Sequence, residues 1–427
     1  MQRVILIFAR SVVVLFLLSA FGWVVKGAVK GDLGWGPKLN STVVTFVSFF
    51  DLFEETVEEV KELPKTFVPT PENFEPINRL DRDVWGLVTY STGDFERKVD
   101  VLNFRNDSLA HSWTITNIQR AQNRIIHPIM TKNRDLIYSL NGVTGLFAVN
   151  ADGERLWKQD TIAHHHGLNF DADSMIWACT YDKEPKGFII YRGLVKLNGR
   201  DLNYIDNTVS QIDPKTGHIL YHKSLTDILV ENDLTHLLMK TGQAWDPLHL
   251  NDVEPILEDG PYWKKGDLFL SMRCISVVLH YRPSTGEVIR VLEGPFYTQH
   301  DIDVVNDSTL SIFNNNAHVT WQKTKTNLPI GLERKDAGDH YSNIVFYHLD
   351  TDEVEFIEKE TFETNRIYST TESLADWLPD GSVFVEEQNS SVLWVLKDGE
   401  VLYKNVLSSQ HEGYHHLSNW TRIIPEL

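Results

Sequence analysis

The chain has 427 residues, of which 42% are hydrophobic and 23% charged, a composition typical of a folded globular protein with a substantial core. Its formal net charge of −19 argues against a function that depends on neutralising the phosphates of a nucleic acid. With only two cysteines, Cys179 and Cys274, the sequence excludes a disulfide-based scaffold and a four-cysteine zinc site.

The first 30 residues have the layout of a signal peptide or a signal anchor. An almost wholly apolar run extends from Val4 to Val25, with Arg3 and Arg10 on its leading side. No small-residue cleavage site follows the run, which favours an uncleaved membrane anchor over a cleaved secretion signal. Because a cationic leading segment usually stays inside, the bulk of the chain is expected to be extracytoplasmic, and periplasmic if the protein is bacterial.

Residues 31–78 are predicted to form an amphipathic helix followed by a linker. Apolar residues recur at steps of three and four between Val43 and Val60, which is helix periodicity. The stripe covers fewer than three heptads, so a helix on the flank of the main domain or at the membrane surface is favoured over a coiled-coil homodimer. Prolines then mark the linker, at Pro64, Pro69 and Pro71.

From residue 79 to residue 427 the sequence repeats a strand–turn–strand pattern. Alternating apolar strands flank turns rich in Asp and Gly, in copies that begin at residues 145, 208, 276, 343 and 391, with a degraded copy at 99. A further strand pair accompanies each copy, so a unit contains four strands, as a propeller blade does. The sequence predicts an all-β, six-bladed β-propeller, closed by the C-terminal run HHLSNWTRIIPEL. A pair of β-sandwiches, the alternative fold, would lack this period.

Histidines occupy the repeat-equivalent position in four of these units: His127, His166, His249 and His300. In the last full unit this position holds Ser373. Because the first strand of each blade lines the central channel, these side chains are expected to converge there, together with Arg273 at the end of a neighbouring strand. Imidazoles and a guanidinium in one funnel would form an anion-handling site with a candidate nucleophile.

Several histidines can be explained without a catalytic role, and a metal site and a Ser-His-Asp hydrolase are less favoured interpretations. Three histidines are more simply read as satisfied core or surface groups: His111, His127 and His236. The run 164–166 resembles a metal-binding tract, but adjacent strand residues point to opposite faces, so these three histidines cannot all bind one ion. Two of them with His249 remain an alternative metal site. A Ser-His-Asp hydrolase is disfavoured, because no G-x-S-x-G motif is present.

Three blocks of the chain carry a family resemblance. They are HHHGLNFDADSMIW, then DPLHLNDVEPI followed by GDLFLSMRCISVVLHYRPSTGEV, and then GPFYTQHDIDVVNDSTLSIFNNN. In order and spacing they resemble the arylsulfotransferase family, and the resemblance covers about residues 120–405. It departs from the family where Cys274 follows Arg273 and where the third block ends in Asn314 to Asn316. We also expect Cys179 and Cys274 to be unbridged, because nothing in the repeat places them face to face.

The resemblance implies a PAPS-independent aryl-sulfate sulfotransferase that needs no cofactor and moves a sulfuryl group from a phenolic sulfate to a phenol. By that resemblance His300 becomes transiently sulfated, His249 and Arg273 hold the sulfuryl oxygens, and His166 acts on the phenol oxygen. Two neighbouring histidines compete for this last role: His164 and His165. A histidine nucleophile would divide the transfer into two steps in ping-pong order. The alternative function is a non-catalytic propeller that binds a glycan, lipid or protein partner at the membrane.

Overall fold

The computed structural model describes residues 66–424, with gaps at 94, 117–123, 142, 183–190, 198–199, 242, 244 and 318–340. The N-terminal anchor or signal expected over 1–30 and the amphipathic helix expected after it lie outside the described residues. Within the described ranges no helix is both long enough and apolar enough to cross a membrane.

Most strands of the chain pair into six antiparallel four-stranded units, here called blades I to VI. Blade I combines the C-terminal strand with three early ones: Arg422–Ile424, Trp85–Ser91, Glu96–Asn103 and Leu109–Thr116. Blades II and III share one long strand: Arg155–Phe170. Blade II adds Ile129–Met130, Leu136–Ser139 and Val143–Val149. Blade III adds Ile176–Asp182, Asn207–Ile212 and Ile219–Ser224.

Each of the remaining three blades is formed by four strands that are consecutive in the sequence. Blade IV contains Leu250–Pro255, Leu268–Met272, Val277–Arg282 and Glu287–Leu292. Blade V contains His300–Asn306, Thr309–Asn314, Asn343–His348 and Glu353–Ile357. Blade VI contains Leu374–Trp377, Val383–Glu387, Val392–Lys397 and Glu400–Ser408. Every strand–turn–strand copy expected from the repeat is therefore present, and the all-β fold is propeller-like.

Helices are few in the described part of the chain, where they lie in the connections between blades. The helix α1 spans Leu225–Glu231 and follows blade III, and α2 spans Lys359–Asn365 and follows blade V. The Ser224 hydroxyl accepts from the backbone N–H of Asp227 at 3.1 Å and so caps α1. Two 3₁₀ segments and one inserted hairpin complete these connections: Thr235–Lys240, Arg273–Ile275, and Tyr191–Leu197 with Arg200–Ile205.

The C-terminal strand closes the ring, as the sequence predicted. Residues Arg422–Ile424 pair antiparallel with Trp85–Ser91, with Ile423 opposite Gly86. Two short strands in the segment expected to be a linker also join blade VI, where Phe67–Pro69 pairs with Tyr414–His416 and Ile77–Asn78 pairs with the outermost strand. The compact unit thus begins at Lys65, ahead of the boundary expected at 79, because this segment covers sheet edges that would otherwise be open.

Buried carboxylates join the innermost strand of one blade to that of the next. Asp252 accepts from the backbone N–H of Ile302 at 2.8 Å, and Asp301 accepts from that of Ala375 at 2.7 Å. Asp376 repeats the contact with the N–H of Ile423 at 3.1 Å, across the point of closure. Burial raises the pKa of Asp252 to about 6, although the backbone N–H groups of Ile302 and Val253 favour its charged form. The carboxylates set the spacing of the strands that carry the candidate site.

Candidate active site

One residue near the start of each innermost strand has a left-handed backbone. Positive φ angles between 48° and 78° occur at one such position in every blade: His127, His166, His249, Asp301, Ser373 and Trp420. A non-glycine residue in this conformation costs of order 1–3 kcal/mol, and such residues cluster at functional sites. In blade V the position falls on Asp301, one residue after His300. The bend recurs at four of the five positions that the repeat had singled out, and in blade V it lies one residue after the fifth.

The four side chains proposed from the sequence are neighbours in the structure. Nε2 of His166 lies 3.0 Å from Nε2 of His249, and the ring centroids of His166 and His300 are 5.8 Å apart. The backbone N–H of Arg273 donates to the carbonyl of His249 at 3.1 Å, which places the arginine beside the same pair. Arg273 begins the 3₁₀ turn Arg273–Ile275 rather than ending a strand.

His300 is held in one tautomer by hydrogen bonds to both ring nitrogens. Its Nδ1 lies 2.6 Å from Oδ1 of Asn315, whose Nδ2 donates to the carbonyls of Ser369 and Glu372 at 2.9 Å each. Because that amide nitrogen is engaged, Oδ1 must accept, so Nδ1 of His300 carries the proton. Nε2 therefore keeps its lone pair, which accepts from the backbone N–H of Glu372 at 3.2 Å.

The electrostatic surroundings keep His300 neutral. Burial, and then the charge of Arg273, hold the pKa of His300 well below its usual range. The same two causes act on His166, where burial is the largest and the neighbouring histidines and Arg273 add to it. Neutral imidazoles are thus present around a permanent cation. A neutral imidazole with a free lone pair is the form that can act as a nucleophile.

Arg273 is buried, and some of its N–H donors have no hydrogen-bond partner among the described residues. Its side chain is 5% exposed, and neither Nε nor Nη2 has a partner among the described residues. A buried guanidinium with unpaired N–H groups is costly, unless an anion completes it. The two unpaired donors fit an oxyanion group of planar, bidentate geometry, such as one edge of a sulfate.

His249 has a carboxylate partner, whereas the other site histidines have none among the described residues. Its Nδ1 lies 2.6 Å from Oδ2 of Asp246, and Asn207 Nδ2 donates to the second carboxylate oxygen, Oδ1, at 2.8 Å. Asp246 is only 1% exposed. Burial raises the pKa of Asp246, but the charge and hydrogen bond of His249, with the bond from Asn207, outweigh it and leave that pKa below its usual value. The carboxylate is therefore ionised.

The histidine run 164–166 does not follow simple strand alternation. The pairing of this strand with Ile176–Asp182 shifts register opposite the run, and His166 has a φ of 54°. As a result His165 and His166 both approach His249, with ring centroids 5.7 and 5.1 Å away, while His165 stacks on Tyr181 at 4.0 Å. No group of three His, Cys, Asp or Glu side chains within the described ranges is placed to hold a metal ion.

Two other constellations have structural explanations. His127 accepts from Nη2 of Arg422 at 3.1 Å, and burial followed by that guanidinium lowers its pKa, so it serves the ring closure. A chain from Ser210 through His222 to Asp182 has contacts of 2.8 and 2.5 Å, in the order of a hydrolase triad. The serine is fully buried within its sheet, so no substrate can reach it.

The comparison with protein families is decisive. The family model for arylsulfotransferase (ASST) matches residues 127–404, which include all four proposed site residues. The chain belongs to the arylsulfotransferase family. This confirms the resemblance drawn from the sequence blocks. No curated protein matches the chain.

Solved structures similar to this arylsulfotransferase-family chain concern the fold alone. A protein of unknown function from Bacteroides caccae aligns with a TM-score of 0.50 and 11% identity, over 81% of this chain and 100% of that one. The WD40 β-propeller domain of Doa1 aligns with a TM-score of 0.41 and 10% identity, over 82% and 88% of the two chains.

Sequence reasoning missed several residues at this arylsulfotransferase-family site. Asp246 lies three positions before His249 in the quoted WDPLH context, but no role was expected for it. Asn315 was noted only as a departure from the family pattern. Trp420 contributes a ring 5.9 Å from His300 and 5.5 Å from His166, yet it comes from the C-terminal segment. No local pattern marks it as a site residue.

The two cysteines are unbridged, as expected. Cys179 is buried on a strand of blade III, and burial raises its pKa well above the usual value. Cys274 lies in the 3₁₀ turn next to Arg273, not on a strand as the repeat suggested, and burial raises its pKa to about 12. Neither sulfur is therefore a ready thiolate nucleophile.

Proposed function

We propose that the protein is a PAPS-independent aryl-sulfate sulfotransferase that works in ping-pong order through a sulfohistidine at His300. The observation that carries the proposal is the pairing of two features. His300 is neutral and its Nε2 is unprotonated, with a lone pair that accepts from the backbone N–H of Glu372, and the nearby Arg273 has two buried N–H donors without a partner among the described residues. A nucleophile and an oxyanion holder are the two parts that sulfuryl transfer needs.

The chemistry follows from these residue types. Nε2 of His300 attacks the sulfur of an aryl sulfate, the N–S bond forms, and the S–O bond breaks with its electron pair left on the phenolate oxygen. An acceptor phenol then attacks the same sulfur and the electron pair of the N–S bond returns to Nε2. Transfer of such a group depends mainly on positioning and on cationic donors at its oxygens, which is the role of Arg273. The histidine pair His166 and His249 handles the phenol proton.

The alternative, a non-catalytic propeller that binds a glycan, lipid or protein partner, has less support. A binding surface does not require a buried imidazole fixed in one tautomer. Nor does it require Arg273 to be buried beside three histidines with its N–H groups unpaired, an arrangement that destabilises the free protein. Polar groups that are costly to the fold are typical of catalytic sites.

Intact-mass measurement tests the proposal directly. The protein is incubated with p-nitrophenyl sulfate and no acceptor, and we expect p-nitrophenol release together with a mass increase of one sulfuryl group. Added phenol should remove the adduct and stimulate turnover. His300→Ala should give neither adduct nor turnover, whereas His236→Ala, a change at an exposed histidine, should behave as wild type. A His300→Ala protein that still transfers sulfate would refute the mechanism.

The expected location is a separate proposal. The apolar run within residues 1–30 supports attachment to the membrane, with the folded unit outside the cytoplasm. We expect the full chain to stay in the membrane fraction after carbonate extraction, whereas a variant that begins at residue 31 should be released. A purified protein whose first residue lies near Phe21 or Ala28 would show instead that the segment is cleaved.

A further inference from the structure

We propose that His249 exchanges the proton with the phenol oxygen and that Asp246 is the positioning residue that makes this possible. The inference rests on the proposed sulfotransferase function and refines it, because the sequence had placed this role on His166. Asp246 contacts His249 and not the nucleophile, so it acts through His249.

Geometry sets the orientation of the His249 ring. The Nδ1 to Oδ2 distance of 2.6 Å to Asp246 is that of a charge-assisted hydrogen bond, so Nδ1 carries a proton that the carboxylate accepts. Asn207 fixes the carboxylate in turn: its Nδ2 donates to Oδ1 of Asp246, and its Oδ1 accepts from the backbone N–H of Leu250 at 2.9 Å. Because Nδ1 is held by Asp246, Nε2 is the ring nitrogen of His249 that can exchange a proton.

Access favours His249 over His166. His249 is partly exposed whereas His166 is buried, so a substrate entering from solvent reaches His249 first. Nε2 of His249 points at Nε2 of His166 across 3.0 Å. Within the part of the chain that the structure describes, His166 has no carboxylate partner and its Nδ1 has no hydrogen-bond partner. It is therefore the acceptor of this bond when His249 is an imidazolium.

Charged and titratable groups surround His249 on several sides. Among the described residues, Asp246 is the carboxylate in contact with it, while His165, His166, His300 and Arg273 face it from the other sides. Burial is the main cause that holds the pKa values of the three other histidines well below their usual range. Since those rings are neutral, a proton in the cluster is best stabilised between Asp246 and the entering oxygen.

The proposed step balances in both directions. As the S–O bond breaks, the electron pair on the phenolate oxygen takes the proton from Nε2 of His249, and phenol leaves. His249 is then neutral, with Nδ1–H still donated to Asp246. In the second half-reaction the acceptor phenol gives its proton to Nε2 while its oxygen attacks the sulfur of sulfated His300, which restores the imidazolium.

Leaving-group dependence tests this step. p-Nitrophenolate leaves without help, whereas the more basic phenolates from phenyl sulfate and 4-methoxyphenyl sulfate need a proton. We expect Asp246→Asn to slow sulfation of His300 by about 10²-fold with phenyl sulfate but by less than about 3-fold with p-nitrophenyl sulfate. His249→Gln should show the same selective loss. Burst rates of phenol release and the mass adduct report the half-reaction without the acceptor.

The chain offers a matched control for loss of an Asp–His pair. Asp267 contacts His280 at 2.8 Å in the same blade and is equally buried, but it lies outside the site cluster. Asp267→Asn should change the sulfation rates with phenyl sulfate and with p-nitrophenyl sulfate by the same factor. Any variant that only weakens the fold should do the same. Thermal unfolding of each variant verifies that it is folded.

The outcomes separate this inference from the proposed function. If wild type forms no adduct with any aryl sulfate, the sulfotransferase proposal fails. If wild type forms the adduct and Asp246→Asn slows sulfation equally with both aryl sulfate donors, His249 is not the proton-exchanging group. This inference alone is then overturned. A selective loss in His166→Gln without one in His249→Gln would return the role to His166.

Discussion

The backbone N–H of Glu372 donates a hydrogen bond to Nε2 of His300, the proposed nucleophile, at 3.2 Å. The lone pair that must attack sulfur therefore faces a donor at the place where the sulfur must go. Glu372 and Ser373 both have left-handed backbones, with φ of 58° and 78°. Arg124 holds the Glu372 carboxylate through two N–H groups, with distances of 3.1 and 2.5 Å. A strained turn fixed by an ion pair thus covers the nucleophile.

Weakening this ion pair should make the nucleophile easier to reach. In Glu372→Gln the contact with Arg124 loses its charge, a change worth about 0.5–1 kcal/mol for a pair of this kind, so the turn opens at lower cost. We expect the burst of p-nitrophenol that reports sulfation of His300 to become about 2- to 5-fold faster. Glu363→Gln, which affects an exposed pair with Lys359, is the control. A burst that is unchanged or slower would mean that the turn does not limit access.

Removal of the Asn315 side chain should impair the nucleophile without unfolding the site. Asn315→Ala deletes the acceptor that keeps the proton on Nδ1 of His300, so the ring spends time in the tautomer whose Nε2 carries hydrogen. We expect sulfation to slow by at least about 10-fold, as when an orienting partner is lost. The neighbouring Asn316→Ala, which removes a bond to a backbone carbonyl, should sulfate normally. Equal rates in the two variants would exclude a role for Asn315.

Loss of Arg273 should separate activity from stability. Arg273→Ala is expected to slow sulfuryl transfer by about 10²–10³-fold, because the developing charge loses its donors. The same change removes a buried and incompletely paired guanidinium, so the unfolding temperature should hold or rise. Arg290→Ala, an arginine on the outer strand of the same blade that contacts Asp352, should keep full activity. A large fall in the unfolding temperature of Arg273→Ala would show that Arg273 supports the fold instead.

The strands of the repeat can be predicted from the sequence, whereas the contacts between blades cannot. The repeat at 276 predicts the strands Val277–Arg282 and Glu287–Leu292, because alternation and turn chemistry are local. The partners of His300 are not local: Asn315 follows it by 15 positions and Glu372 belongs to the next blade. Their hydrogen bonds depend on the angle between blades and on residues with a left-handed backbone. Neither feature produces a periodic pattern in the sequence. For the same reason, the expectation that strand residues alternate between opposite faces did not predict the bend at His166.

Acid should destabilise the fold through its buried histidines, and His164 allows a clean test. Burial, with a smaller effect from His222, lowers the pKa of His164 to about 3, whereas the unfolded chain has a value near 6.5. Between these two values the unfolded state binds the extra proton, so stability falls as pH falls through 6.5 towards 3. His164→Asn removes this group from both states.

The measurement is a double difference in the free energy of unfolding. Guanidinium unfolding of wild type and His164→Asn at pH 7 and at pH 5 gives the loss on acidification for each protein. We expect the variant to lose about 2 kcal/mol less than wild type between these pH values. His236→Asn changes a solvent-exposed histidine and should lose as much as wild type. Equal losses in wild type and His164→Asn would mean that His164 can take up a proton within the folded protein.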